Sequence, residues 1–267
     1  MADRLYYVYG VVPPDASLAT APGGVDGHAV TLIADSDVAA LAGPVDASEY
    51  TADIDERLAD VAWLAPRATA HDAVMTWASD AGPVVPLPLL SLFRSEQAVR
   101  AMLIERRTEL VALLGTVARG REFGVRIFRV DDELRQALAS HSPSVAALER
   151  DLAATESPGQ RYLMQRKLEA ARKEEVRRVS ADVAAGAFDA LSGAAIASVQ
   201  DTLPTATAEQ PGAAVLNASF LVAHDAIDAF RAAVTGLVRE HERRGFRFEF
   251  TGPWPPYHFA RGTGDGR

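Results

Sequence analysis

The sequence predicts an α+β protein of two domains, an N-terminal α+β domain and a C-terminal ferredoxin-like antiparallel sheet carrying a long helical, coiled-coil-like extension. Three observations predict it. The chain has 267 residues, more than one typical domain holds. Its second half reads strand, helices, strand, helix, strand, the order of a layered α+β unit. Between the first two of those strands lies a helix-period stretch too long to fold back on a small sheet without projecting from it. The expected boundaries are 1–119 for the first domain and 120–260 for the second, with the helical insertion at about 144–200 and a disordered tail at 261–267.

The first strand is 5–12, dense in Tyr and Val and stopped by "PPDAS". The cluster "PGGVDG" at 22–27 is a turn, followed by a strand at 28–34 and a short one at 41–45. Helices are expected at 53–64 and 70–81, the second with Val74, Trp77 and Ala78 on one face. "PVVPLPLL" at 83–90 is extended, because each proline fixes its own φ and pushes its predecessor out of the α region. Ser95 then caps a helix to about residue 118, whose stripe includes Val99, Leu103, Leu110 and Leu114.

After Gly120 the alternation of Phe123, Val125 and Ile127 marks a strand at 121–130, followed by helices at 131–140 and 144–154. Ser157-Pro158-Gly159 breaks the chain, and a long helix follows at 160–184, with more helix expected to 199. Glu169 with Lys173 and Glu174 with Arg178 stand at the i,i+4 spacing of helix ion pairs. A loop at 201–212, a strand at 213–223, a helix at 225–244 and a strand at 246–250 complete the domain, the last with three Phe on one face and Arg247 and Glu249 on the other.

Bulk properties bound the function. With 48% hydrophobic and 24% charged residues the chain can bury a real core. There is no apolar run near the roughly 18 residues of a membrane span. The opening "MADRLYYVYGVV" does not read as a signal peptide. Zero cysteines leave no disulfide, no thiolate nucleophile and no Cys-based zinc site, which fits the cytoplasm. The net charge of −9 argues against nucleic acid as a partner, yet it is unevenly placed. Residues 1–93 hold 3 basic against 13 acidic side chains, whereas 94–129 hold 8 against 4 and 161–178 hold 7 against 3.

No catalytic constellation stands out. The histidines at 28, 71, 141, 224, 241 and 258 show no i,i+3 or i,i+4 pair of the helical metal-site kind, and each reads as a cap, a surface residue or a satisfied core histidine. His241 lies between Glu240 and Glu242, but adjacent helix residues point in different directions. "GTVARGR" at 115–121 lacks the Lys-Ser/Thr of a phosphate loop, "GTGDG" at 262–266 leads into no helix, and no G-x-S-x-G elbow exists. The carboxylates Asp131, Asp132 and Glu133 open a helix, where its dipole accounts for them.

One segment is unusual. "TGPWPPYHF" at 251–259 packs three prolines, a Trp, a Tyr, a His and a Phe into nine positions. Gly252 permits a turn out of the Phe-rich strand, and Pro253, Pro255 and Pro256 pull the backbone toward polyproline II, whose threefold repeat would set Trp254 and Tyr257 on one face. A stiff pair of aromatics is an efficient anchor, for its own domain or for a partner. Its place directly after a core strand favours self-docking, with Trp254 and Tyr257 over the second domain's core and a cost of roughly 3–5 kcal/mol for Trp254→Ala.

The same residues resemble the closing motif of the gas vesicle protein F/L family. "YYVYGVV" (6–12), "VVPLPLLSLF" (84–93), "GREFGVRIF" (120–128), "SPGQRYL" (157–163) and "LNASFLV" (216–222) agree with that family in order and spacing, so the resemblance spans nearly the whole chain. The Trp-Pro-Pro-Tyr close is specific; the other blocks are weak alone. The resemblance implies the two-domain fold given above and a role in building gas vesicles, the hollow protein-walled flotation organelles of some bacteria and archaea. It implies contact with the small hydrophobic shell protein and other vesicle accessory proteins, a place at the gas vesicle within the cytoplasm, and no enzymatic activity, cofactor or metal. The residues it marks for packing or partner contact are Gly252, Pro253, Trp254, Pro255, Pro256, Tyr257 and Phe259, with Tyr6, Tyr7, Pro158, Gly159 and Tyr162. F and L are sister types, and the residues fit either.

Two other readings stand beside it. One is a small-molecule enzyme using Arg121, Arg126 or His258 at an inter-domain cleft, which requires convergent polar groups and a perturbed titratable side chain. The other is a non-enzymatic adaptor docking an acidic partner through the basic helix at 161–178, a contact that salt should weaken.

Overall fold

The computed structural model describes residues 4–51, 54–205, 207 and 210–260. The start of the helix expected at 53 and the tail expected at 261–267 lie outside the described residues. The chain forms two compact units, one made of residues up to 122 together with those from 253 onward, the other of residues 123–252. Both are α+β with antiparallel sheets.

In the first unit β1 (Arg4–Val12) is central, with sheet order β2 (Thr31–Asp35), β3 (Val38–Asp46), β1, β4 (Val85–Pro86), and with β5 (Leu92–Phe93) also on β1. The β1–β3 register slips at Tyr9, between Val8 opposite Ala42 and Gly10 opposite Leu41. One extra residue reverses the side-chain parity. Tyr7, Tyr9 and Val12 therefore enter one core and Val8 and Val11 another. The first core is closed by Val74, Met75 and Ala78 of α3 (Val61–Ala81), the second by Val99 and Leu103 of α4 (Glu96–Glu105) and Leu110 and Leu114 of α5 (Arg107–Val117). At Gly10 an added Cβ would lie 2.8 Å from the Val85 carbonyl oxygen, so strand approach there requires glycine.

Two helix boundaries differ from expectation for local reasons. The gap expected at 65–69 between two helices is absent, and the break falls instead at Asp60, between α2 (Ile54–Ala59) and α3, because the Asp60 carboxylate accepts the Ala62 N–H at 2.9 Å and caps the helix. Pro66 stays inside α3, and the Arg67 guanidinium donates to the Trp63 carbonyl at 2.9 Å beside it. The helix expected from Ser95 is capped there as read, through the Ala98 N–H, but is divided at Arg106. A short helix α1 (Ser48–Thr51) follows β3.

The second unit runs β6 (Gly120–Arg129), α6 (Asp131–His141), α7 (Pro143–Ala154), α8 (Pro158–Ser192), β7 (Ala197–Gln200), β8 (Ala213–Ala223), α9 (Ile227–His241), β9 (Phe246–Trp254). Its sheet order, β7-β8-β6-β9, is that of a ferredoxin-like unit, and the first unit repeats that order in β2-β3-β1-β4, with β5 as a fifth strand on β1. The core is built on Phe123, Val125, Ile127, Phe220, Phe230 and Phe246. α8 has 35 residues, about 52 Å. Its C-terminal half buries Val179, Val183, Ala187 and Leu191 on the sheet, while its start packs beside α7 through Leu168 and an Arg172–Glu149 ion pair at 2.7 Å. The helix expected to continue to 199 ends at Ser192, and Ala197–Gln200 pairs with β8, Ala197 opposite Leu221, as the sheet's edge. The helix charges pair at i,i+3 in Glu174–Arg177 (3.2 Å) and Glu175–Arg178 (2.7 Å), one residue closer than expected for the second pair.

Candidate functional site

Four of the motif blocks meet in the first unit. From "YYVYGVV", Tyr7 and Tyr9 stand 4.8 Å apart, ring to ring, on the α3 side of the sheet. α3 adds His71, which shares the face of Val74, Met75 and Ala78 and is 4% exposed. From "VVPLPLLSLF", the Leu90 N–H donates to the Tyr7 hydroxyl at 3.1 Å. That hydroxyl lies 2.9 Å from His71 Nδ1, and the ring's other nitrogen, Nε2, is buried with no hydrogen-bond partner among the described residues. The Tyr9 hydroxyl accepts the Val25 N–H at 2.7 Å.

From the closing motif, Tyr257 packs on this same cluster and Ala260 on the opposite core of the unit. From "GREFGVRIF", Glu122, 2% exposed, grips the segment: Oε1 lies 2.6 Å from His258 Nδ1 and Oε2 accepts the His258 backbone N–H at 3.1 Å. A carboxylate so deeply buried is tolerated because both oxygens are engaged.

The cluster is held neutral. Burial pushes Tyr9 up to about 12 and Tyr257 up to about 12, raises Tyr7 as well, and lowers His71 to about 4. Chemically this is a set of hydrogen-bonded aromatics that locks backbone to backbone.

The closing segment departs from expectation in three respects. β9 runs on to Trp254, so strand geometry, not polyproline II, sets that side chain, which is 46% exposed. After Pro256 the backbone turns, with the Tyr257 N–H bonded to the Pro255 carbonyl at 2.7 Å and the Ala260 N–H to that of Pro256 at 2.9 Å. Trp254 and Tyr257 thus do not share a face. Tyr257 lies on the first unit's core rather than the second's, since Glu122 and the Tyr7–Tyr9 cluster supply its partners there. Gly252 has φ 110°, a left-handed conformation that requires glycine, as the motif implies.

The other marked residues divide between packing and exposure. Tyr6 is half-buried on the α4–α5 side, opposite Phe93. Pro255 and Pro256 are buried, Phe259 is half-buried and Pro253 is exposed. Pro158 and Gly159 open α8 in the open, and Tyr162 is 62% exposed. Arg121 donates to the Ser79 carbonyl and lies 3.4 Å from Asp80, while Arg126 bonds Asn217 at 3.2 Å. His28 and His224 are exposed, His241 is buried against Phe248, and the His141 side chain lies outside the described residues. Sequence reasoning missed Glu122 and His71. For His71 the signal was there, three residues before Val74 on the helix face; for Glu122 nothing local pointed to a partner 136 residues away.

Fold and site together define an α+β protein in which Tyr7 and Tyr257, among the marked residues, pack in the first unit's own core. The profile of the gas vesicle synthesis protein GvpL/GvpF family matches residues 5–261. Gas vesicle protein L from a Streptomyces species is 32% identical over 97% of this chain and 93% of its own length, and gas vesicle protein F2 of Halobacterium salinarum is 46% identical over 17% of this chain and 20% of its own. Crystal structures of gas vesicle protein GvpF from Anabaena and from Microcystis aeruginosa share the fold, with TM-scores of 0.73 and 0.67 at 18% and 19% identity, covering 97% and 96% of this chain and 99% of each neighbour. The chain belongs to the GvpL/GvpF family of gas vesicle proteins, and its role is in gas vesicle formation. Among the described residues no helix is long and apolar enough to cross a membrane.

Proposed function

We propose that the protein acts in vesicle formation as a non-enzymatic accessory component that binds the hydrophobic shell protein and other vesicle accessory proteins, with Trp254 at the contact. One observation carries this reading. Pro255, Pro256 and Tyr257 of the closing motif are taken up by internal packing, while Trp254 in the same motif keeps 46% of its surface exposed. A large aromatic presented by a rigid strand suits an apolar partner. Replacing Trp254 with a photo-crosslinking residue in a vesicle-forming host should yield an adduct with the shell protein or another vesicle protein. Normal vesicles without any such adduct would contradict the reading.

A further inference from the structure

Among the described residues the three most exposed large apolar side chains are Val61 at 74%, Leu163 at 68% and Tyr162 at 62%. They fall at two places of opposite charge. Val61 opens α3 beside Leu58 of α2, itself 44% exposed, with Glu56 and Asp60 exposed around them. Residues 46–60 contain six acidic side chains and one basic, Arg57, which is bound to Glu49 at 2.7 Å.

Tyr162 and Leu163 lie in the first turns of α8. At about 100° per residue, Tyr162, Leu163, Arg166, Lys167, Lys173 and Arg177 share one outward arc of about 140°. The acidic member of that arc is Glu174, tied to Arg177 at 3.2 Å. From 158 to 177 the face runs about 30 Å, the breadth of a standard-size protein contact.

We propose that these surfaces are the two halves of one interface between copies of this chain, the acidic α2–α3 corner of one copy seated on the basic outer face of α8 of the next. The apolar side chains anchor the centre and the charges set direction and encounter rate. The chain's net charge of −9 opposes nucleic acid or an anionic membrane on the same face, whereas its own residues 1–93, with 13 acidic side chains against 3 basic, complement it. Because the two patches differ, the contact is heterologous, and each copy offers a free half to a further copy. This self-association is independent of the vesicle partners proposed for Trp254.

Sedimentation velocity across a concentration series tests it on the full chain. The wild type should form growing oligomers at low salt that diminish at raised salt. Leu58→Ser with Val61→Ser, and separately Tyr162→Ser with Leu163→Ser, should each weaken association by about tenfold or more with circular dichroism unchanged. An equimolar mixture of the two variants keeps one intact interface and should form a 1:1 complex and nothing larger. A wild type that stays monomeric, variants that assemble like the wild type, or a mixture that stays monomeric would each overturn the proposal.

Discussion

The His71 ring packs beside those of Tyr7 and Tyr9, 5.8 and 5.7 Å away, and among the described residues its hydrogen-bond partner is the Tyr7 hydroxyl. Burial lowers its pKa to about 4 from the usual 6.5, so between those values the unfolded chain binds the proton and the folded chain does not. Stability from this group is therefore complete above pH 6.5 and is lost as pH falls toward 4, by about 3 kcal/mol. His71→Gln should flatten the acid-side fall of the urea midpoint in that window, and an unchanged slope would show that His71 is not its source. Helical spacing makes His71 legible as a core residue. Glu122 is not legible, because in sequence it is a lone carboxylate in a strand and its partner lies at the far end of the chain.

At the scale of elements, order and type were largely readable from periodicity and breakers: the strands at 4–12, 120–129 and 213–223 and the stripe of the helices after Ser95 follow the residue pattern. What periodicity could not supply was competition between tertiary and local preference. The Ala-rich run after Ser192 becomes β7 because β8 offers it a ladder, and Trp254 remains in β9 despite three neighbouring prolines. This reassigns the energy of the closing motif. Tyr257→Ala should cost about 2–4 kcal/mol and Trp254→Ala under about 1 kcal/mol in urea unfolding, in place of the large cost expected for Trp254 from sequence. In α8, Leu168→Ala, at a site 3% exposed, should loosen the α7–α8 hairpin by about 2–4 kcal/mol, seen as faster amide exchange in α7.

At the scale of the molecule, the chain crosses from the first unit to the second after Glu122 and returns after Gly252, so its last described residues finish the unit that its first residues begin. The sequence marked the closing motif through family resemblance but placed it on the second domain, since strand adjacency was the only guide to where it docks. The central claim is that Tyr257 and the Glu122–His258 grip make this segment part of the first unit. Native-state hydrogen exchange on Tyr257→Ala tests it most directly, read at amides with defined partners: Val8 to the Ser91 carbonyl and Leu87 to that of Tyr9 in the first unit, Ile196 to Leu221 and Asp201 to Asn217 in the second. The account predicts faster exchange at Val8 and Leu87 with Ile196 and Asp201 unchanged. Faster exchange at Ile196 and Asp201, with Val8 and Leu87 still protected, would contradict it.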